Sequence, residues 1–222
     1  FGDGEVDTIE NCEIFTKGHG IIIGHDYQGG SINLIENCTL ENSDWNTNPL
    51  VFVKKSGAIE TIKGCNIIHH DSSAISVNEA TGHIGAIDGG SYIGGGSYGS
   101  AITSGGTIDH VLSGIFIGGW DAIYNRGNIN TISGGSFFGN ESALTNGGAI
   151  DSLEGGYYKT ATNSNWIVVE DGSTCTSPEG YNLSTVPMRP SDFDGKEGFY
   201  HFGETADITW AVEGQESITD KF

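Results

Sequence analysis

The chain has 222 residues, of which 36 are glycine and only 4 proline, and it carries 9 basic against 29 acidic side chains, a net charge of −20. Glycine does not fall at every third position, which excludes collagen, and a composition 36 % hydrophobic and 10 % aromatic excludes low-complexity disorder. No apolar run approaches about 18 residues, so no membrane insertion by a helix is expected, and the acidity argues against nucleic acid or anionic lipid as partners.

In chain order, a pair of apolar residues three apart recurs seven times. The pairs are Val6/Ile9, Ile32/Ile35, Ile59/Ile62, Ile84/Ile87, Ile108/Val111, Ile129/Ile132 and Ile150/Leu153, at intervals of 26, 27, 25, 24, 21 and 21 residues. Three residues after each pair stands a small residue: Cys12, Cys38, Cys65, Gly90, Gly114, Gly135, Gly156. Two further on come Ile14, Leu40, Ile67, Tyr92, Phe116, Phe137 and Tyr158, and a later column holds Ile75, Ile102, Ile123, Leu144 and Ile167. Columns in phase at this period are the signature of a repeat architecture.

Each coil therefore holds three short apolar stretches separated by Gly, Asn and Ser, residues that favour turns. The stretches are too short and too rich in glycine for helices. One coil cannot bury its own apolar side, whereas stacking like on like builds a continuous core. The expected fold is all-β, a three-sided parallel β-helix (β-solenoid) of about seven coils over residues 1–172, with strands about 4.8 Å apart. At that spacing Cys12, Cys38 and Cys65 form a ladder of free thiols rather than a disulfide, and Cys175 falls outside the repeat. Val6 opens the first coil in mid-pattern, so preceding residues or another molecule are expected to cover that end. Residues 173–203 read as a C-terminal cap, and 204–222 as a tail or the start of a further β module.

The unit from Ala122-Ile123-Tyr124-Asn125 to Ile132-Ser133-Gly134-Gly135-Ser136-Phe137 resembles the β-helix repeats of large secreted or cell-surface proteins of gut Gram-positive bacteria. Pro178-Glu179-Gly180-Tyr181-Asn182-Leu183-Ser184 and Ile208-Thr209-Trp210-Ala211-Val212-Glu213-Gly214 are similar to segments that follow such repeats. The resemblance implies right-handed winding, a secreted or surface location, flanking domains in a longer parent chain and no catalytic residues.

Four side-chain groups carry possible chemistry. Trp45, Tyr98 and Trp120 follow their apolar pairs by similar offsets and line one edge of the rod, where Tyr124, alternating outward from Ile123, joins them. Flat aromatic surfaces stack on sugar rings, so these four are the ligand-binding candidates for a host or bacterial surface glycan or protein; plugging of the solenoid's corners is the plain alternative. Asp109, Asn130 and Asp151 form an outward oxygen-bearing column that is the candidate calcium site, although no EF-hand or nonapeptide calcium pattern is present. Asp109 and Asp151, two coils or about 9.6 Å apart, are also the alternative catalytic pair, since inverting glycosidases hold two carboxylates about 6.5–9.5 Å apart. His69-His70-Asp71 reads as a solvated turn, because neighbours in a strand point to opposite faces.

These readings converge on a non-catalytic extracellular β-helix module, an adhesin or structural stalk that binds glycan, with no cofactor unless calcium occupies the Asp column. The alternative is a glycan-cleaving β-helix hydrolase or lyase working through Asp109 and Asp151.

Overall fold

The computed structural model describes residues 4–25, 29–45, 47–78, 80–161, 167–176, 207–210 and 218–221. The repeat columns become three parallel sheets with no helix among the described residues. The first sheet stacks eight strands: Glu5–Glu10, Gly30–Glu36, Gly57–Lys63, His83–Asp88, Thr107–Val111, Asn128–Ile132, Ala149–Leu153 and Thr174–Cys175. The second sheet stacks seven, from Glu13–Thr16 through Ser91–Gly94, Ile115–Gly118 and Ser136–Gly139 to Tyr157–Thr160. The third also stacks seven, from Ile21–Ile23 through Ile102–Ser104, Asp121–Asn125 and Ser142–Asn146 to Ile167–Val169. Each coil visits the sheets in this order, so every strand pairs with its counterpart one coil away. The result is the expected three-sided β-solenoid of about seven coils.

Register follows the sequence columns residue for residue. Ile32, Ile59, Ile84, Ile108, Ile129 and Ile150 oppose one another along the first sheet. Val51, Ile75, Ile102, Ile123, Leu144 and Ile167 do so along the third. Shifting any strand by one residue would turn its apolar set outward, which pins the register. These residues fill the interior of the solenoid, nearly all of them without solvent exposure.

The second sheet contributes a stack of rings. Tyr92, Phe116, Phe137 and Tyr158 lie with centroids 5.0, 4.9 and 4.8 Å apart and planes 10°, 9° and 12° from parallel. Tyr92 and Tyr158 donate their hydroxyls to the carbonyls of Gly89 and Gly155 at 2.8 and 2.9 Å, so their buried polar tips are satisfied. The ring stack begins where the cysteine column ends. Coils with Cys12, Cys38 or Cys65 carry Ile14, Leu40 or Ile67 two residues later, and coils with glycine there carry the rings. Gly135 has φ +114°, and a Cβ there would stand 3.0 Å from the Phe137 ring and 3.1 Å from Phe116. Large ring and absent side chain are thus one packing solution, thiol and aliphatic chain the other.

All four cysteines are free, as expected for the ladder. The Sγ atoms of Cys38 and Cys65 lean toward backbone carbonyls of their own and the preceding coil. Cys175, expected outside the repeat, instead occupies the eighth strand of the first sheet, opposite Ile150. That strand is two residues long, so it lacks the apolar pair that marks the others. The expected cap lies largely outside the described residues. Within 204–222, Asp207–Trp210 pairs antiparallel with Ile218–Lys221.

Candidate functional site

The corner between the second and third sheets changes length along the rod, and in the fourth and fifth coils it displays aromatic rings. In the fourth coil it is Gly95-Gly96-Ser97-Tyr98-Gly99-Ser100-Ala101; in the fifth it shrinks to Gly119-Trp120. A side chain on Gly119 would collide with the Gly96 carbonyl, so the tight corner requires glycine there, and the next residue, Trp120, projects outward. Tyr98 is 82 % and Trp120 40 % exposed, and their rings stack at 5.4 Å with a 25° tilt.

Below this pair lies a shallow depression that Tyr124, Thr103, Thr145, Ser100, Asp121 and Glu170 complete. Thr103, Tyr124 and Thr145 are one outward column of the third sheet, and Ser100, Asp121 and Ser142 share the register position three residues earlier. The Arg126 guanidinium sits 4.9 Å over the Tyr124 ring, a cation–π contact. Asp121 is 1 % exposed. Its Oδ1 accepts the Ser142 hydroxyl at 2.5 Å; Ser142 has one proton to give, so the Thr145 hydroxyl, 2.5 Å away, donates to Ser142. Asp121 Oδ2 has no hydrogen-bond partner. Burial pushes the Asp121 carboxyl above the ordinary carboxylate range, opposed by the hydrogen bond from Ser142 and the nearby Thr145 hydroxyl and reinforced by the neighbouring charge of Glu141.

Three of the four aromatic candidates, Tyr98, Trp120 and Tyr124, therefore meet in one place. Trp45 does not: it stands on the longer corner of the second coil, 91 % exposed and apart from the depression. Asp121, Glu170, Thr103 and Thr145 were not among the sequence candidates. The available signal was register, because Asp121 is the one carboxylate at a position that is serine in both neighbouring coils.

The outward column of the first sheet is knitted to itself. Asp109 Oδ1 accepts the Asn130 amide at 2.8 Å, and its Oδ2 faces His83 Nε2, also at 2.8 Å. Asn130 Oδ1 in turn accepts the Asn128 amide at 2.5 Å. Asp151 is exposed one coil further on. Both Asp109 oxygens and the Asn130 oxygen are thus engaged within the protein. Among the described residues, no group of three or more His, Cys, Asp or Glu side chains is arranged to hold a metal ion.

His69 corrects one expectation. It is fully buried rather than solvated, because its Nδ1 accepts the backbone amides of Asp71 and Ser72 at 3.1 and 2.9 Å. Asn42, its counterpart in the preceding coil, serves the same corner by accepting the Asp44 amide at 2.9 Å. The imidazole is therefore a neutral acceptor at Nδ1, and burial lowers its pKa accordingly. His70 points out and pairs with Glu41 at 3.1 Å, so the two histidines do not share a site.

No protein-family model, no curated protein and no solved structure matches this chain.

Proposed function

We propose that the chain is a non-catalytic β-solenoid module that binds glycan at the corner between its second and third sheets, serving as adhesin or stalk within a larger secreted or cell-surface protein. The observation that carries this reading is the depression itself. An exposed two-ring platform, Tyr98 on Trp120, adjoins a third ring and a row of hydroxyls. Apolar faces beside a few convergent polar groups are the arrangement sugar rings require. The location, the flanking domains and a glycan- or protein-bearing cell surface as partner follow from the resemblance of the repeats to bacterial surface modules.

In this reading Asp109, Asn130 and Asp151 are a structural ladder, and binding needs neither calcium nor any other cofactor. The catalytic alternative at Asp109 and Asp151 is disfavoured because Asp109 has both oxygens committed to Asn130 and His83.

A glycan array probed with the intact chain, with calcium and again with EDTA, tests the proposal. Reproducible binding to a defined glycan, weakened about tenfold or more in Trp120→Ala and Tyr98→Ala, is the expected result. A blank array would overturn glycan binding and leave a stalk. Binding lost in EDTA would restore the Asp column as a calcium site, and glycan cleavage abolished by Asp151→Asn would establish the enzyme.

A further inference from the structure

Asp121 pairs with Ser142 in the third sheet, and Ser100 stands at the same offset from Thr103 in the preceding coil, so a carboxylate stands where both neighbouring coils use a hydroxyl. The choice is unfavourable for folding. Asp121 is 1 % exposed, and its Oδ2 reaches neither solvent nor a hydrogen-bond partner. Where Asp121 is ionised, its charge acts on the adjoining depression with little screening, because the carboxylate is covered from bulk water.

Two neighbouring carboxylates share its polarity. Glu170 lines the depression, and Glu141, next to Ser142, adds its charge to the field at Asp121. Against these three carboxylates stands the Arg126 guanidinium over Tyr124. Arg126 also demonstrates that the Tyr124 face accepts a positive charge. The phenols of Tyr98 and Tyr124 and the indole of Trp120 complete the wall.

We infer that the depression takes a glycan bearing free amino groups, with Asp121 and Glu170 opposing the ammonium charge and the Tyr98–Trp120 stack supporting the sugar ring. The inference rests on the glycan-binding reading and names its ligand class. A neutral sugar would gain nothing from the acidic wall that Asp121 and Glu170 form. A lysine side chain would supply the charge but no ring plane for the exposed Tyr98 face. Ammonium binding favours the ionised form of Asp121, so a protein that holds this carboxyl protonated releases that proton to the buffer on binding.

The test is isothermal titration of the intact chain with a chitosan tetrasaccharide and with its fully N-acetylated counterpart, at a pH where the free amines are protonated. The two ligands share a backbone and differ in charge. The expected result is about tenfold or greater preference for the free amine, with proton release shown by dependence of the heat on the buffer. Asp121→Asn should abolish both preference and proton release, and Glu170→Gln, a substitution at an exposed residue that leaves the core untouched, should weaken the preference several-fold. Equal affinity for the two ligands would overturn the amine inference and leave glycan binding standing. A preference unchanged in both variants would overturn the assignment to this depression. Trilysine binding as tightly as the aminoglycan would overturn the sugar part. Failure of both tetrasaccharides beside a neutral hit on the array would overturn this inference alone, and failure on both would overturn the two readings together.

Discussion

Gly135→Ala tests the central packing claim, that glycine and ring form one unit. The new Cβ would lie 3.0 Å from Phe137 and 3.1 Å from Phe116. Neither ring can retreat, because Phe137 is held at 4.9 Å from Phe116 and 4.8 Å from Tyr158. Overpacking of this kind costs about 1–3 kcal/mol, and an alanine forced to φ +114° adds about 1–3 kcal/mol of backbone strain. A total of about 2–6 kcal/mol is expected. Phe137→Leu by itself removes two ring pairs at about 0.5–1.5 kcal/mol each, together with some buried area. Combining the substitutions relieves the contact with the Phe137 ring but neither that with Phe116 nor the strain, so the double variant should be more stable than the sum of singles by about 1 kcal/mol. Urea unfolding followed by far- and near-ultraviolet circular dichroism measures the cycle, provided both probes give one coincident transition. Additivity within about 0.5 kcal/mol, or a Gly135→Ala variant as stable as the parent, would refute the argument.

Two further outcomes are expected. Because burial raises the carboxyl pKa of Asp121 in the folded state, the native protein binds this proton more tightly than the unfolded chain. Its stabilising contribution is therefore complete below the ordinary carboxylate pKa and is lost as pH rises through the raised native value. Urea midpoints of Asp121→Ser, compared with the parent across that window, should lack this component and exceed the parent at neutral pH; a parallel pair of curves would contradict it. The thiols give the second outcome. Burial pushes Cys65 up to about 11 and Cys175 up to about 12, and Cys38 upward as well. All three should therefore react slowly with a thiol reagent in the native state, and a count of four free thiols should appear in denaturant. Fewer than four would mean a bridge and a different stacking.

The fold was legible because periodicity is a long-range signal written in short-range residues. One I-x-x-I pair says little, but seven in phase with three other columns specify which strand lies on which. Cys175 was missed because its strand is only two residues long and carries no apolar pair. The aromatic edge was half legible. Offsets from the apolar pairs placed Trp45, Tyr98 and Trp120 on one edge, but only Tyr98 and Trp120 meet, because Trp45 stands on a longer corner two coils away from Tyr98. Asp121 escaped because an aspartate after a tryptophan reads as an ordinary turn residue until register sets it between two serines. His69 escaped because sequence gives a histidine's position and not its hydrogen bonds, although its alignment with Asn42 was a hint that it, too, caps a corner.

The exchange of cysteine plus aliphatic for glycine plus ring has a consequence for how such a chain can change. Between Cys65/Ile67 and Gly90/Tyr92 the solenoid passes from one cassette type to another, and each type stacks on itself. Duplication or loss of a whole ring-bearing coil, such as the two intervals of 21 residues, leaves every ring facing a ring and every glycine under one. Transplanting a cysteine coil among them sets a thiol and its Cβ where two rings close. Length can therefore vary within a cassette, while the junction between the two types stays a landmark along a rod otherwise free to grow or shrink.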